Sequence, residues 1–107
     1  MVKITVLYPN IEGRRFDVDY YLNVHMPMSI EKLGSTMKGV TVEIGIAGAH
    51  EGTPPPYVAL CHFQFETVDA FIKAFMPHAE LLIGDMVNYT DIGSVIQISE
   101  VRIHQLR

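Results

Sequence analysis

Apolar residues recur along this chain with two periods, and the switches between them outline its elements. From Val2 to Tyr8, Val2, Ile4, Val6 and Tyr8 alternate with Lys3, Thr5 and Leu7, the period of two expected of a strand. Pro9, Asn10 and Gly13 close it, and Arg14 and Arg15 read as solvated loop charges. A helix then opens at Asp17, whose side chain suits an N-cap, with Asp19 adding negative charge where the dipole favours it. Pro27 lacks a backbone donor and clashes with the carbonyl one turn back, at Asn23, which predicts a break. Ser29 is expected to recap a second portion running to about Met37, with Gly34 and Gly39 marking its weakening and its end. Alternation returns at Val40, Val42, Ile44 and Ile46 for a second strand. The stretch from Gly48 to Pro56, with its run of three prolines, is an exposed loop. A third strand spans Tyr57 to Phe65, with Tyr57, Ala59, Cys61, Phe63 and Phe65 on one face and Val58, Leu60, His62 and Gln64 on the other. Thr67 caps a second helix in which Val68, Phe71, Ile72, Phe75 and Met76 recur at three and four residues. Pro77 ends or kinks it, and residues 78 to 83 can add a further turn. A polar connection from Gly84 to Asp91 leads to the last strand, Ser94 to His104.

The order β-α-β-β-α-β predicts one α+β domain over residues 1–107, a ferredoxin-like antiparallel sheet with both helices on one face. That order leaves the other face bare, and its composition is mixed. Leu7, Val58, Leu60, Val95 and Val101 share it with Lys3, Thr5, His62, Gln64, Gln97 and Ser99. Such a surface suits neither water nor a dry core. A second copy closing over it would give about eight strands around one small ligand, a dimeric α+β barrel.

Composition sharpens the picture. Hydrophobic residues make up 49% of the 107 and charged ones 19%, so apolar side chains are left over for a partner surface. A formal charge of −4 and no basic stripe argue against nucleic acid, which needs clustered Lys and Arg. No apolar run approaches the roughly 20 residues of a membrane span, and Met1-Val2-Lys3-Ile4 shows no signal-peptide layout. A single Cys61 makes no internal disulfide and fits a cytoplasmic location. Cys61 is expected to be buried and inert.

The chemistry concentrates in the first helix. Tyr21 and His25, four residues apart, share one face of it. An imidazole that titrates near neutrality can take or give a proton, and a phenol beside it can orient it or hold a ligand oxygen. The competing reading has His25 bonded to a carbonyl at the Pro27 break. The five histidines show no metal-ligand spacing, and there is neither a Gly-rich phosphate loop nor a Gly-x-Ser-x-Gly elbow. No metal or other cofactor is therefore expected, and the six methionines read as core filling.

The stretch from Phe16 to Pro27 resembles the first helix of the EthD family, named for ethyl tert-butyl ether degradation. The family shows an aromatic residue, three intervening residues and then His-x-Pro, matched here by Tyr21, His25 and Pro27. Two further blocks, Pro77 to Asp91 and Val95 to Val101, look like its segment after the second helix and its final strand. The family resemblance implies the dimeric barrel; it does not choose among activities. Some relatives are auxiliary proteins of catabolic operons; the wider superfamily includes isomerases, cyclases and cofactor-independent monooxygenases.

These readings name His25 and Tyr21 as catalytic candidates, and Tyr20, His62, Gln64, Tyr89 and Gln97 as substrate contacts in the hollow between two copies. For Tyr89, with His78 and Asn88, the competing role is to fix loop geometry; for the open-face residues it is interface hydrogen bonding. The function expected is binding of a small, apolar, oxygen-bearing metabolite of a catabolic or secondary-metabolite pathway, with a cofactor-independent enzyme as one reading of it. The alternatives are a non-catalytic carrier of a hydrophobic metabolite and a purely structural dimer module.

Overall fold

The computed structural model describes residues 1–107. The first strand, β1 (Val2–Pro9), pairs antiparallel with both β3 (Tyr57–Phe65) and β4 (Val95–Glu100), and β2 (Gly39–Ile44) pairs with β3. The sheet order is β2-β3-β1-β4, so the two central strands are the first and third in the chain. With the helices on one face this is the α+β, ferredoxin-like arrangement. Register fixes the two faces: Ile4 lies opposite Phe63 and Ile98, while Thr5 lies opposite His62 and Gln97. One face therefore carries Ile4, Tyr8, Ala59, Cys61, Phe63 and Phe65, all buried. The other carries Lys3, Thr5, Leu7, Leu60, His62, Gln64, Val95, Gln97 and Ser99, as the alternation predicts.

The first helical segment departs from expectation at Pro27. Asp17 Oδ1 accepts from the Tyr20 N–H at 3.1 Å and caps α1 (Val18–Tyr20). The chain then widens into a π-helical turn, Tyr21–His25, closed by the Met26 N–H donating to the Tyr21 carbonyl, and runs on into α2 (Met26–Leu33). Proline does not break the helix here. The widened turn takes up its missing donor and its steric clash. Ser29 is consequently interior rather than a cap, buried with its Oγ donating to the His25 carbonyl at 2.9 Å. The helix stops at Gly34, short of the end expected near Met37, because its φ of +74° is a geometry that glycine adopts without penalty and that does not continue a helix.

The second half follows its pattern more closely. Thr67 Oγ1 accepts from the Ala70 N–H at 3.0 Å, capping α3 (Val68–Phe75). Phe71 and Phe75 stack on each other, and Phe71 packs edge-on against Phe65 of the sheet. Ile72 and Met76 point outward, so the apolar stripe is broader than the face it buries. A 3-10 turn at Pro77 joins α3 to α4 (Ala79–Gly84), and a second one, Asp85–Asn88, follows. The β2 strand ends at Ile44 and β4 at Glu100, so Ile46 and residues 101–104 lie outside the sheet. At that point β4 has reached Val2, the first paired residue of β1, and one further bond, from the Val101 N–H to the Met1 carbonyl at 3.0 Å, ends the contact.

Candidate functional site

Between the helices and the buried face of the sheet lies a cavity of about 190 Å³. Fourteen of its seventeen lining residues are hydrophobic; the exceptions are His25, Ser29 and Ser94, so no formally charged side chain faces it. Ile83 and Ile96 are each more than half exposed and mark its mouth, where α4 meets the edge strand β4. The enclosed space thus belongs to one chain, on the side of the sheet opposite the hollow expected between two copies.

His25 is 7% exposed, with its ring against Tyr21 and Tyr89. Its Nδ1 lies 3.0 Å from Oδ2 of Asp85, which is 60 residues away in the chain. A carboxylate accepts only, so Nδ1 carries the proton and Nε2 is left with its lone pair. Asp85 is fixed in turn: its Oδ1 accepts from Tyr20 Oη at 2.7 Å and from Asn88 Nδ2 at 2.9 Å. Burial would raise the Asp85 pKa, but the donors from Asn88, Tyr20 and His25 prevail and hold it below the usual carboxylate range. Burial lowers the pKa of His25 more than Asp85 raises it, so the imidazole is neutral at neutral pH.

The turn carrying Asp85 is tied back to the start of the first helix. Arg15 donates to the Val87 carbonyl at 2.7 Å and to the Asn88 carbonyl at 3.4 Å, and its backbone N–H donates to Asp91. Thr90 Oγ1 donates to the Arg15 carbonyl, and Phe16 bridges to Thr90. Arg15 is therefore a clamp rather than a free loop charge, placed where a cation suits the carbonyl end of a helical turn.

Four tyrosines and a phenylalanine crowd this corner. Tyr8 Oη and Tyr89 Oη are hydrogen-bonded at 2.7 Å, and burial pushes the Tyr8 phenol up to about 12. Burial raises Tyr21 and Tyr89 as well, so all three stay protonated. Tyr21 lines the cavity at 1% exposure, and its hydroxyl is the one buried side-chain polar atom without a partner. The Cys61 thiol is close enough to act on the Tyr21 phenol, but it donates to Met26 Sδ at 3.9 Å and its sulfur is only a weak acceptor.

The expected site residues separate into three groups. His25 and Tyr21 line the cavity together. Tyr20 and Tyr89 stand behind its wall, Tyr20 holding Asp85 and Tyr89 fully buried against Tyr8 and His25. His62, Gln64 and Gln97 are on the far face of the sheet and share no space with His25, because residues of opposite parity point to opposite sides. His62 joins Thr5 Oγ1 at 3.0 Å and Glu43 at 3.4 Å, and Gln97 donates to Ser99. Sequence reasoning missed Asp85, for which the hints were its place in a polar stretch after the second helix and in the Pro77–Asp91 block. Cys61 is buried as expected, yet it lines the cavity. No group of three or more His, Cys, Asp or Glu residues is placed to hold a metal, and no helix is long and apolar enough to cross a membrane.

Comparison with known proteins places these residues in a wider context. The EthD domain model matches residues 13–93, which include Arg15, His25 and Asp85. An EthD-like protein from Ralstonia eutropha JMP134 is 45% identical, with a TM-score of 0.92 over 97% of this chain and 94% of that one. An ethyl tert-butyl ether degradation (EthD) family protein from Bacillus halodurans C-125 is 19% identical, with a TM-score of 0.73 over 94% and 98%. A protein from Bacteroides fragilis NCTC 9343, described as dimeric, of unknown function and of ferredoxin-like fold, is 18% identical, with a TM-score of 0.55 over 94% and 95%. No curated protein matches the chain.

Proposed function

The chain belongs to the EthD family, and from that premise we propose that it is an enzyme moving a proton on a small apolar, oxygen-bearing metabolite bound inside each chain. One observation carries this reading: His25, held through Nδ1 by Asp85, lines an apolar cavity with Nε2 unengaged. A neutral imidazole beside a low-dielectric pocket is a competent base, and the carboxylate behind it stabilises the imidazolium that forms. Isomerisation, cyclisation with loss of water and oxygenation of an electron-rich ring can each begin with such a proton removal. His25 is the acid/base group, Asp85 orients it, and Tyr20 and Asn88 position Asp85. In a screen of small ketones, phenols and lactones, His25→Gln should lose at least about 100-fold in turnover, the contribution usual for a general base, with binding retained. Turnover unchanged in the variant removes His25 from the reaction.

The nearly unbroken apolar lining favours a second reading, a carrier that holds a hydrophobic metabolite unchanged. Mass spectrometry of the ligand recovered after incubation separates the two, since an enzyme returns product and a carrier returns what was supplied.

A second copy packed on the open sheet face completes the proposal. Leu7, Leu60 and Val95 there are apolar and uncovered by any helix, and Thr5, His62 and Gln97 supply polar contacts between them. The dimeric description of the Bacteroides protein is in keeping with it. On this reading His62, Gln64 and Gln97 are interface residues rather than substrate contacts.

A further inference from the structure

Resting on the reading of His25 as a base, we infer that the ligand of this cavity is an uncharged carbonyl compound built on a single substituted ring, its oxygen accepting a hydrogen bond from Tyr21. Size comes first. Engineered cavities of roughly 150 Å³ hold benzene, and this one, at about 190 Å³, has room for a ring with a short substituent. Charge comes next. No Lys or Arg lines the cavity, so a carboxylate or phosphate would be stripped of water without a counter-charge.

The polar inventory then selects the functional group. Ser29 already donates to the His25 carbonyl, and Tyr8 is paired with Tyr89. What remains is the Tyr21 hydroxyl, buried and unpartnered, and the His25 Nε2 lone pair, together with the hydroxyl of Ser94, which is only partly buried. Leaving a phenol unsatisfied in the interior is costly, and a ligand acceptor would repay that cost on binding. The two rings stack nearly parallel with centroids 5.9 Å apart, so one small ligand can meet both the donor and the base. The ligand then presents an acceptor to Tyr21 and an acidic hydrogen to Nε2. A hydroxyl offers both on one oxygen; a carbonyl with an adjacent C–H spreads them across the O–C–C–H unit.

The step this permits balances within the substrate and His25. Nε2 takes the proton from the carbon next to the carbonyl, the C–H pair becomes the new C=C bond, and the C=O π pair moves onto oxygen, where the Tyr21 O–H holds the enolate. Where a C=C bond follows that carbon in the ligand, the imidazolium returns the proton to the far end of the resulting dienolate, so that an isomer leaves and no co-reactant is consumed; without one, the proton returns to the same carbon as exchange.

The test is calorimetric titration of the full-length protein with acetophenone, ethylbenzene and benzoate, three molecules of similar size. Acetophenone should bind about tenfold tighter than ethylbenzene, the worth of one buried hydrogen bond, and benzoate should bind no better than ethylbenzene. Tyr21→Phe should bring acetophenone and ethylbenzene to equal affinity. Equal binding of the two by the natural chain, tight binding of benzoate, a preference that survives Tyr21→Phe, or binding of none of the three overturns the inference. Exchange of the acetophenone methyl hydrogens in D2O, followed by NMR, reports on His25 separately. Ligand preference without His25-dependent exchange leaves the carbonyl assignment standing and sinks the acid/base reading. Exchange without preference does the reverse.

Discussion

His25 ionises against its surroundings, and this has a sign that can be measured. Burial outweighs Asp85 and lowers its pKa from the ordinary 6.5. Below pH 6.5 the unfolded chain takes up a proton that the folded chain refuses, so the contribution of this group to stability is complete above 6.5 and is lost as pH falls. Urea unfolding at pH 7.5 and 5.5 should show the natural protein weaker at the lower value, and His25→Gln should narrow the gap. Asp85 acts on the same atom from the other side. Asp85→Asn removes the group that raises His25, so the imidazole titration followed by NMR should move to still lower pH while turnover falls. A carboxylate that only braced the turn would leave that titration in place. Tyr21 makes the opposite kind of prediction. Its hydroxyl has no partner to lose, so Tyr21→Phe should leave the thermal midpoint unchanged or raise it, as at sites where stability has been given up for function.

At the scale of elements, the site depends on two segments far apart in sequence being held in register. The π-helical turn keeps Tyr21 and His25 inward while admitting Pro27, and the 3-10 turn brings Asp85 to meet them. Arg15 joins the two. Arg15→Ala removes two hydrogen bonds to carbonyls of the Asp85 turn, and a loss of about 1 kcal/mol is expected from bonds of this exposed kind. The same change should cost turnover as well, because the partner of His25 is then free to drift. Gly34 is a control with no bearing on the cavity. A side chain there meets no neighbour, but φ is +74°, so Gly34→Ala should cost about 1 kcal/mol through the backbone alone and leave ligand binding unchanged.

For the whole molecule, the sheet is a partition. Its buried face closes a cavity with the helices, and its open face carries an apolar and polar mixture. If the open face meets a second copy, Leu60→Lys should convert the dimer to monomer in sedimentation at micromolar concentration. Ligand binding should survive, because no residue of the open face lines the cavity. A natural protein that sediments as a single chain at that dilution removes the dimer and leaves the cavity proposal intact, since the enclosing walls come from one chain.

The alternation of Val2 to Tyr8 and of Tyr57 to Phe65 and the Asp17 and Thr67 caps were all legible in the chain, because each rests on contacts within a few residues. So was the pairing of Tyr21 with His25, which helical spacing alone supplies. Pro27 was misjudged because a proline excludes the α-helical hydrogen bond but says nothing of a wider turn that does without it. The Asp85 carboxylate, the Arg15 clamp and the unpartnered Tyr21 hydroxyl could not be read at all. Each is defined by what long-range packing brings near it or leaves empty. Strand parity assigned His62, Gln64 and Gln97 to the open face from local sequence; only the folded chain showed that the cavity opens on the other.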